Sequence, residues 1–374
     1  MASRPLRVLQ VSAGEILGGA EKVAWNLFQA YAARGHRSWL ACGQKCSDHS
    51  SVFRIRPQER RGRWVRFWHG IEAQLLAWDG QVPGGVRGTW RLSRLASAVA
   101  EPGKWLDRRR GWQDFRFPET WRLLTLPPER PDLVHCHTLH TRYFDLRILP
   151  WLSRKLPVIL TLHDAWLLSG LCWHSFDCER WKTGCGRCPH LTLYPTLYAG
   201  VWRDATADNW RRKQKIYRRS RLYVATPSRW LMQKVEQSIL AAAVVEARVI
   251  PNGVDLSVFH PPRNKPAVRA EVGIRPEAKV LLFAANGVRT NPNKDYQTVR
   301  QAVARVAERH RQQDLLFVAL GEDAPTEHIG QAEVCFFPFQ KDPQAVARYY
   351  QAADIYLHAA HADTFPNAVL EALA

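Results

Sequence analysis

The stretch His361–Ala374, HADTFPNAVLEALA, sets two carboxylates, Asp363 and Glu371, eight positions apart across a Pro366-Asn367 turn. The apolar run after the turn reads as the start of a helix, so one acid lies on a loop and the other on the helix behind it. A helix N-terminus offers free N–H groups and the positive end of a dipole to phosphate, and the loop can meet a sugar. The pattern suits a nucleotide sugar. Loops of this kind belong to α/β folds, where strands deliver them to one edge of a sheet.

Upstream, Val280–Ala285 (VLLFAA) is a continuous apolar run, as in a buried parallel strand. The loop after it, NGVRTNPNKD, carries Arg289 and Lys294, and a helix is expected over Tyr296–Arg309. Two cations at a strand's C-terminal end can neutralise a diphosphate; an ordinary solvated loop is the alternative. Leu315–Leu320, Val334–Phe337 and Ala353–His358 supply further strands, with a helical segment over Pro343–Gln351.

The N-terminal half repeats the alternation. Leu6–Ser12 (LRVLQVS) is a strand, Ala13–Glu21 a turn-rich loop, and an amphipathic helix runs from Lys22 to about Arg34. In the loop, Gly18 and Gly19 let a ligand approach the backbone where a side chain would intrude. Asp132–His137 and Val158–His163 are apolar strands ending in histidine, and ligands of parallel sheets bind at that C-terminal edge. His163, beside Asp164 and near His135 and His137, can bond a sugar hydroxyl or poise a proton. Asn209–Arg221 is a basic helical stretch, and Leu222–Ser228 (LYVATPS) reads as the last strand of this half. The turn IPNGVD at Ile250–Asp255 separates two domains, 1–255 and 256–374. Strands alternating with helices in both halves predict two doubly wound α/β domains.

At 374 residues the chain is too long for one ordinary core, and 46% hydrophobic with 23% charged residues describes a globular protein. No run of eighteen apolar residues spans a membrane, and the N-terminus lacks a signal-peptide pattern, so a cytoplasmic location is expected. The net charge of +19 together with sixteen Trp calls for a polyanionic partner: anionic lipid, nucleic acid or a phosphorylated substrate. From Phe53 to Trp121 the periodicity loosens and arginine interleaves with tryptophan, as in RRGRWVRFWHG and KWLDRRRGWQDF. That stretch reads as an insertion or a variable acceptor-side region. It suits a membrane interface, stacking on single-stranded nucleic acid, or a basic flank with its rings packed inward.

Cys172, Cys178, Cys185 and Cys188 fall within seventeen residues, the last pair as C-x2-C. Thiolates so spaced can close a tetrahedral zinc site that staples a polar loop. Structural zinc ranks ahead of free thiols here, and disulfides rank last.

Taken together, GGAE at Gly18–Glu21, VILTLHD, TPSRWL, IPNGVD, Arg289 with Lys294, and DTFPNAVLEALA resemble, in this order, the retaining glycosyltransferases of family 4. That family has the GT-B architecture, two Rossmann-like domains facing a cleft. TLHDAW followed by GCGRCP is similar to a branch involved in exopolysaccharide or colanic-acid-type synthesis. The resemblance implies a nucleotide-diphosphate sugar as donor and a saccharide or undecaprenyl-diphosphate-linked acceptor. It further implies transfer with retention at the anomeric carbon, with no catalytic metal.

Carried over, Gly18 and Gly19 sit at the donor phosphate and acceptor face, and His163 meets the transferred sugar. Arg289 and Lys294 clamp the diphosphate, Glu371 binds ribose, and the backbone of Asn367, Ala368 and Val369 meets the phosphates. Asp363 stands where most members have the first glutamate of an E-x7-E motif, one methylene shorter. In the family the helix at Asn367 leads on to a further strand and helix, so the second domain is expected to be incomplete. The basic Trp-rich stretch implies attachment to the inner face of an anionic plasma membrane, with no nucleic acid bound. The competing readings are a basic, aromatic-rich nucleic-acid- or membrane-binding protein, and a GT-B nucleotide-sugar epimerase or glycogen-type synthase.

Overall fold

The computed structural model describes residues 4–16, 18–55, 62–81, 88–191 and 203–374. The chain divides into two compact units, Met1–Ile250 and Pro251–Ala374.

In the first unit, β1 (Arg7–Gly14), α1 (Gly19–Ala33), β2 (Arg37–Gln44) and β3 (Val52–Arg54) lead into α2 (Arg63–Gln81), α3 (Thr89–Ala100) and α4 (Pro102–Arg109). There follow β4 (Leu133–Cys136), α5 (Leu149–Lys155), β5 (Val158–Thr161), α6 (Thr206–Tyr217), β6 (Leu222–Thr226), α7 (Arg229–Glu236) and β7 (Val244–Val249). The sheet has the order β3-β2-β1-β4-β5-β6-β7 and every pairing is parallel. Its inner strands are covered on both faces, which is why they read as continuous apolar runs; Leu9, Val134, Val158 and Leu160 are fully buried. The winding reverses at β1, so the topological switch point lies between β1 and β4. Asp132 ties these two strands together, accepting from the Arg7 backbone at 2.9 Å and its guanidinium at 2.6 Å.

The second unit contains α8 (Lys265–Glu271), β8 (Lys279–Ala284), α9 (Tyr296–Arg309), β9 (Leu315–Leu320), β10 (Glu327–Ile329) and β11 (Ala332–Phe337). It continues with α10 (Pro343–Ala352), β12 (Ile355–Tyr356) and α11 (Asn367–Leu373). The sheet order is β10-β11-β9-β8-β12, parallel throughout save for the β10-β11 pairing. Alternate residues of β8 and β9 feed two apolar cores: Leu281, Phe283 and Phe317 pack against α9, and Val280, Leu282 and Val318 pack with Val268 of α8. The switch point here lies between β8 and β12.

Three expectations are corrected. β6 is not the last strand of the first unit: β7 adds to it as an edge whose VVEARV sequence is largely exposed, which hid it among charged residues. The stretch from Phe53 to Trp121 is not irregular: its described residues contain three α-helices and the start of a 3-10 helix at Pro118, and residues 56–61 and 82–87 lie outside those described. α1 begins at Gly19 rather than Lys22, so the second glycine is itself helical.

Candidate functional site

At the switch point of the first sheet, β1, β4 and β5 bring together Gln10, His135, His137 and His163. Gln10 is fully buried between Leu9 and Val11 of β1, so its amide requires partners. Oriented to satisfy both ends, its nitrogen donates to Ala24 O (3.1 Å) and His137 Nε2 (3.0 Å), and its oxygen accepts from Phe28 N (2.7 Å). His137 Nε2 is then an acceptor, which leaves its Nδ1–H to donate to His163 Nε2 at 3.1 Å. The two rings stack with centroids 5.4 Å apart. Burial lowers His163 to about 4, against the opposing charge of Asp164, and burial holds His137 well below its ordinary range. Burial likewise takes His135, bonded to Thr161 Oγ1 at 2.7 Å, down to about 3. This is a neutral imidazole row at physiological pH, fixed at one end by the strand core.

Asp164 accepts from His140 Nε2 at 2.7 Å and from Trp166 N at 2.8 Å. Burial pushes its carboxyl up, but the charge and hydrogen bond of His140 outweigh that and leave it below the ordinary value. Glu21, in the first turn of α1, goes the other way: burial raises its carboxyl, and the charge of Asp164 adds to the shift. A β carbon on Gly18 would come within 2.9 Å of Glu21 Oε2. Gly18 itself is extended (φ −155°), a conformation open to any residue, and the one close atom is the far end of a flexible side chain. α6 supports the loop that follows Asp164. Lys213 Nζ donates to Trp166 O (2.6 Å) and Ser169 O (3.0 Å), and Tyr217 donates to Leu167 O (2.8 Å). Lys213 is fully buried, and burial lowers it to about 7.

In the second unit, the loops that follow β8 and β12 meet at the switch point. Lys294 Nζ lies 2.7 Å from Asp363 Oδ2, and the backbone of His361 donates to Asn293 O at 2.9 Å. His358 lies beside this pair, and burial first, then the Lys294 charge, lowers it. Arg289 is turned to a different set of acids: its guanidinium meets Glu322 at 2.8 Å and Glu327 at 3.2 Å, over the ring of Phe336. The loop is shaped by Gly321 at the end of β9, whose φ is +120° and where a β carbon would fall 2.0 Å from Ala285 O. Asn367, Ala368 and Val369 open α11, and the Asn367 side chain accepts from Asn252 Nδ2 at 2.8 Å. Glu371, one turn on, accepts from Tyr350 OH at 3.3 Å.

The sequence therefore names the residues at both switch points but not their pairing. Lys294 joins Asp363, whereas Arg289 pairs with Glu322 and Glu327. Gln10, Glu21 and His140 were missed. Gln10 had a legible signal, as a polar amide flanked on both sides by apolar residues in VLQV. His140 had none, because only the fold brings it to Asp164.

All eight cysteines are free thiols. Among the described residues, no group of three or more His, Cys, Asp or Glu is arranged to hold a metal ion. The zinc site expected at Cys172, Cys178, Cys185 and Cys188 is thus not assembled in this conformation. Cys185 Sγ instead accepts from Gly170 N at 3.3 Å, and burial raises its thiol to about 12.

Comparison with known proteins accords with this geometry. Residues 17–258 match the family model described as Glycosyltransferase Family 4, and residues 264–374 match Glycosyl transferases group 1. The chain is 24% identical over 273 residues to WcaC of Escherichia coli (strain K12), named as a colanic acid biosynthesis glycosyl transferase. That alignment covers 69% of this chain and 61% of the relative, so the chain spans about three fifths of the relative's length. A D-inositol 3-phosphate glycosyltransferase of Segniliparus rotundus is 33% identical over 136 residues, 34% of this chain and 29% of the relative. Among solved structures, WaaG, a glycosyltransferase involved in lipopolysaccharide biosynthesis, superposes with a TM-score of 0.52 at 14% identity, covering 98% of this chain and 78% of WaaG. HepE of Anabaena, solved in complex with UDP and glucose, gives 0.51 at 14% identity with the same coverage. The chain belongs to glycosyltransferase family 4 and has the GT-B fold of two Rossmann-like units.

Proposed function

We propose that this chain binds a nucleotide-diphosphate sugar and transfers the sugar, with retention of anomeric configuration, to a saccharide or lipid-linked saccharide acceptor. The setting is cell-surface polysaccharide synthesis at the inner face of an anionic membrane. The observation that carries the reading is the meeting of Lys294 and Asp363, 2.7 Å apart, on the loops that end two neighbouring parallel strands. A cation there can stabilise the charge that develops on a departing diphosphate, and the acid beside it can face the sugar. Arg289 supplies a second cation on the same loop, and Glu371 would take the ribose.

On the first unit, the neutral His137-His163 row would present an imidazole to a sugar hydroxyl without placing a second positive charge there. The leaving phosphate would take the acceptor proton on the face it leaves, so transfer would run without a catalytic divalent metal. The relatives lend support in kind: one is named for colanic acid and another for lipopolysaccharide synthesis, and HepE is solved with UDP and glucose. The test is a screen of nucleotide sugars against saccharide and polyprenyl-diphosphate-linked acceptors, reading nucleoside diphosphate release and the anomeric configuration of the product. Release with an inverted product would overturn retention; no release with any donor would overturn the transfer itself.

A further inference from the structure

Helix α2 carries Trp64, Phe67, Trp68, Ile71, Leu75 and Trp78, yet none of its described residues is buried. It packs on α3. The Trp64 indole in its first turn donates to the carbonyl of Val99 in the last turn of α3, at 3.1 Å, so the two helices run antiparallel. α3 turns a stripe of small residues inward, Thr89, Ser93, Ala96 and Ala100. His69 of α2 bonds Glu72 at 2.7 Å and Glu101 at 3.2 Å, which engages two of the hairpin's acids within its own structure.

Most of the remaining apolar side chains share one side, with Trp90 (56% exposed) and Leu76 (47% exposed) on the other. On α2, Trp64, Phe67, Ile71 and Trp78 recur at helical spacing and flank the contact with α3; on α3, Leu92, Leu95 and Val99 do the same. Because the axes are antiparallel and each residue turns the helix by the same angle, the two stripes come out on the same face of the hairpin. Trp64, Phe67 and Trp78 are 60%, 61% and 61% exposed, and Leu92 and Leu95 are 54% and 60% exposed. Arg63 and Arg91 stand beside this face, Arg66 and Arg94 lie on the outward side of the same helices, and α4 adds the exposed Arg108 and Arg109. Arg94 lies over the Trp90 ring at 4.7 Å, and Arg109 over Trp105 at 4.6 Å.

A flat apolar and aromatic face with a cationic rim is complementary to an anionic lipid surface: rings settle at headgroup depth and guanidinium groups find lipid phosphate. Among the described residues no helix is long and apolar enough to cross a membrane, so such a hairpin would lie in the plane of the interface. We propose that the α2–α3 hairpin is the membrane-docking element of this chain, with Trp64, Phe67, Trp78, Leu92 and Leu95 seated at the headgroup boundary of an anionic bilayer. This rests on the reading that the protein works at such a surface.

The test is flotation of the full chain with vesicles of phosphatidylcholine alone and of phosphatidylcholine mixed with phosphatidylglycerol. The wild type is expected to float with the anionic vesicles. Phe67→Ser combined with Trp78→Ser and Leu95→Ser should lower partitioning at least about tenfold at every salt concentration. Arg91→Gln with Arg94→Gln should lower it chiefly at low salt. Circular dichroism of both variants serves as the control for folding. If the wild type binds no vesicles, the membrane reading itself fails; if it binds and the apolar triple variant binds equally, only the hairpin assignment fails. A wild type that sediments as a dimer, with the triple variant monomeric and lipid binding absent from both, would give the face to a second copy of this chain. Displacement of the anionic vesicles by polynucleotide, with the triple variant as sensitive as the wild type, would also overturn the assignment.

Discussion

Lys294 and Asp363 form an ion pair 2.7 Å long that joins the loops after β8 and β12. The pair is partly exposed, so its direct worth to stability is small, within about 1 kcal/mol. Its importance is to the ligand, because the carboxylate competes with any phosphate for the same ammonium group. Asp363→Asn should therefore tighten binding of a bare nucleoside diphosphate several-fold while lowering sugar transfer. Lys294→Met should weaken both, with transfer falling about 100-fold or more, as when one charge-stabilising donor is removed. Calorimetry for the first quantity and diphosphate release for the second separate the two roles; equal loss of both in Asp363→Asn would contradict the competition.

The imidazole row makes stability depend on pH in a defined window. His163 and His135 have folded values of about 4 and about 3, and His137 is also lowered, while all three titrate near 6.5 when unfolded. The unfolded chain thus binds more protons between these values, and stability rises with pH there. It is fully present above about 6.5 and is lost as pH falls toward 4, each histidine contributing ~1.4 kcal/mol per pH unit. Urea unfolding at pH 7 and pH 5 should show His137→Gln flattening this dependence by about one proton. An unchanged slope would mean that the row is already protonated in the folded state.

Lys213 is a structural hydrogen-bond donor. Replacing it by Met leaves two buried carbonyls, Trp166 O and Ser169 O, without their donor, at a cost of about 2–4 kcal/mol. The loss should appear as a lower urea midpoint and as greater proteolysis of the loop after Asp164, with nucleoside diphosphate binding by the second unit unchanged.

Gly321→Ala should be among the most damaging single-methyl changes in the second unit. The added carbon would meet a backbone oxygen at 2.0 Å at a φ of +120°, so both space and conformation oppose it, by about 2–4 kcal/mol. A thermal midpoint within a degree of wild type would show that the Ala285 loop yields easily.

Transfer should survive EDTA, because Arg289 and Lys294 supply the charge; prompt loss restored by Mg²⁺ or Mn²⁺ would contradict that. Metal content of the same preparation addresses the cysteine loop. One zinc per chain, lost in Cys185→Ser, would show the four thiols drawn together to ~2.3 Å ligand distances, unlike the conformation described here.

The parts legible in the sequence were those governed by continuous burial. β9 and α9 fall on their expected bounds because Leu315–Leu320 is entirely buried and the helix keeps one apolar stripe. β7 was not legible because edge exposure erases its alternation, and α2 was not because its apolar residues are interleaved with arginine and none of its described residues is buried. The same holds in the candidate site. Lys294, Asp363, His163 and Glu371 stood out by position after strands or turns, whereas Arg289's partners Glu322 and Glu327 lie 33 and 38 residues away. Only the β8-β9 pairing and the β10-β11 hairpin bring those acids within reach.

The central claim is that the switch point of the second unit holds a nucleoside diphosphate through Lys294. Isothermal titration of the wild type and Lys294→Met with uridine, guanosine and adenosine diphosphates tests it directly. Saturable one-to-one binding of at least one of them is expected, weakened at least about tenfold in the variant, or about 1.4 kcal/mol. Equal affinity of the two proteins for every nucleotide that binds, or no binding by the wild type, would contradict it.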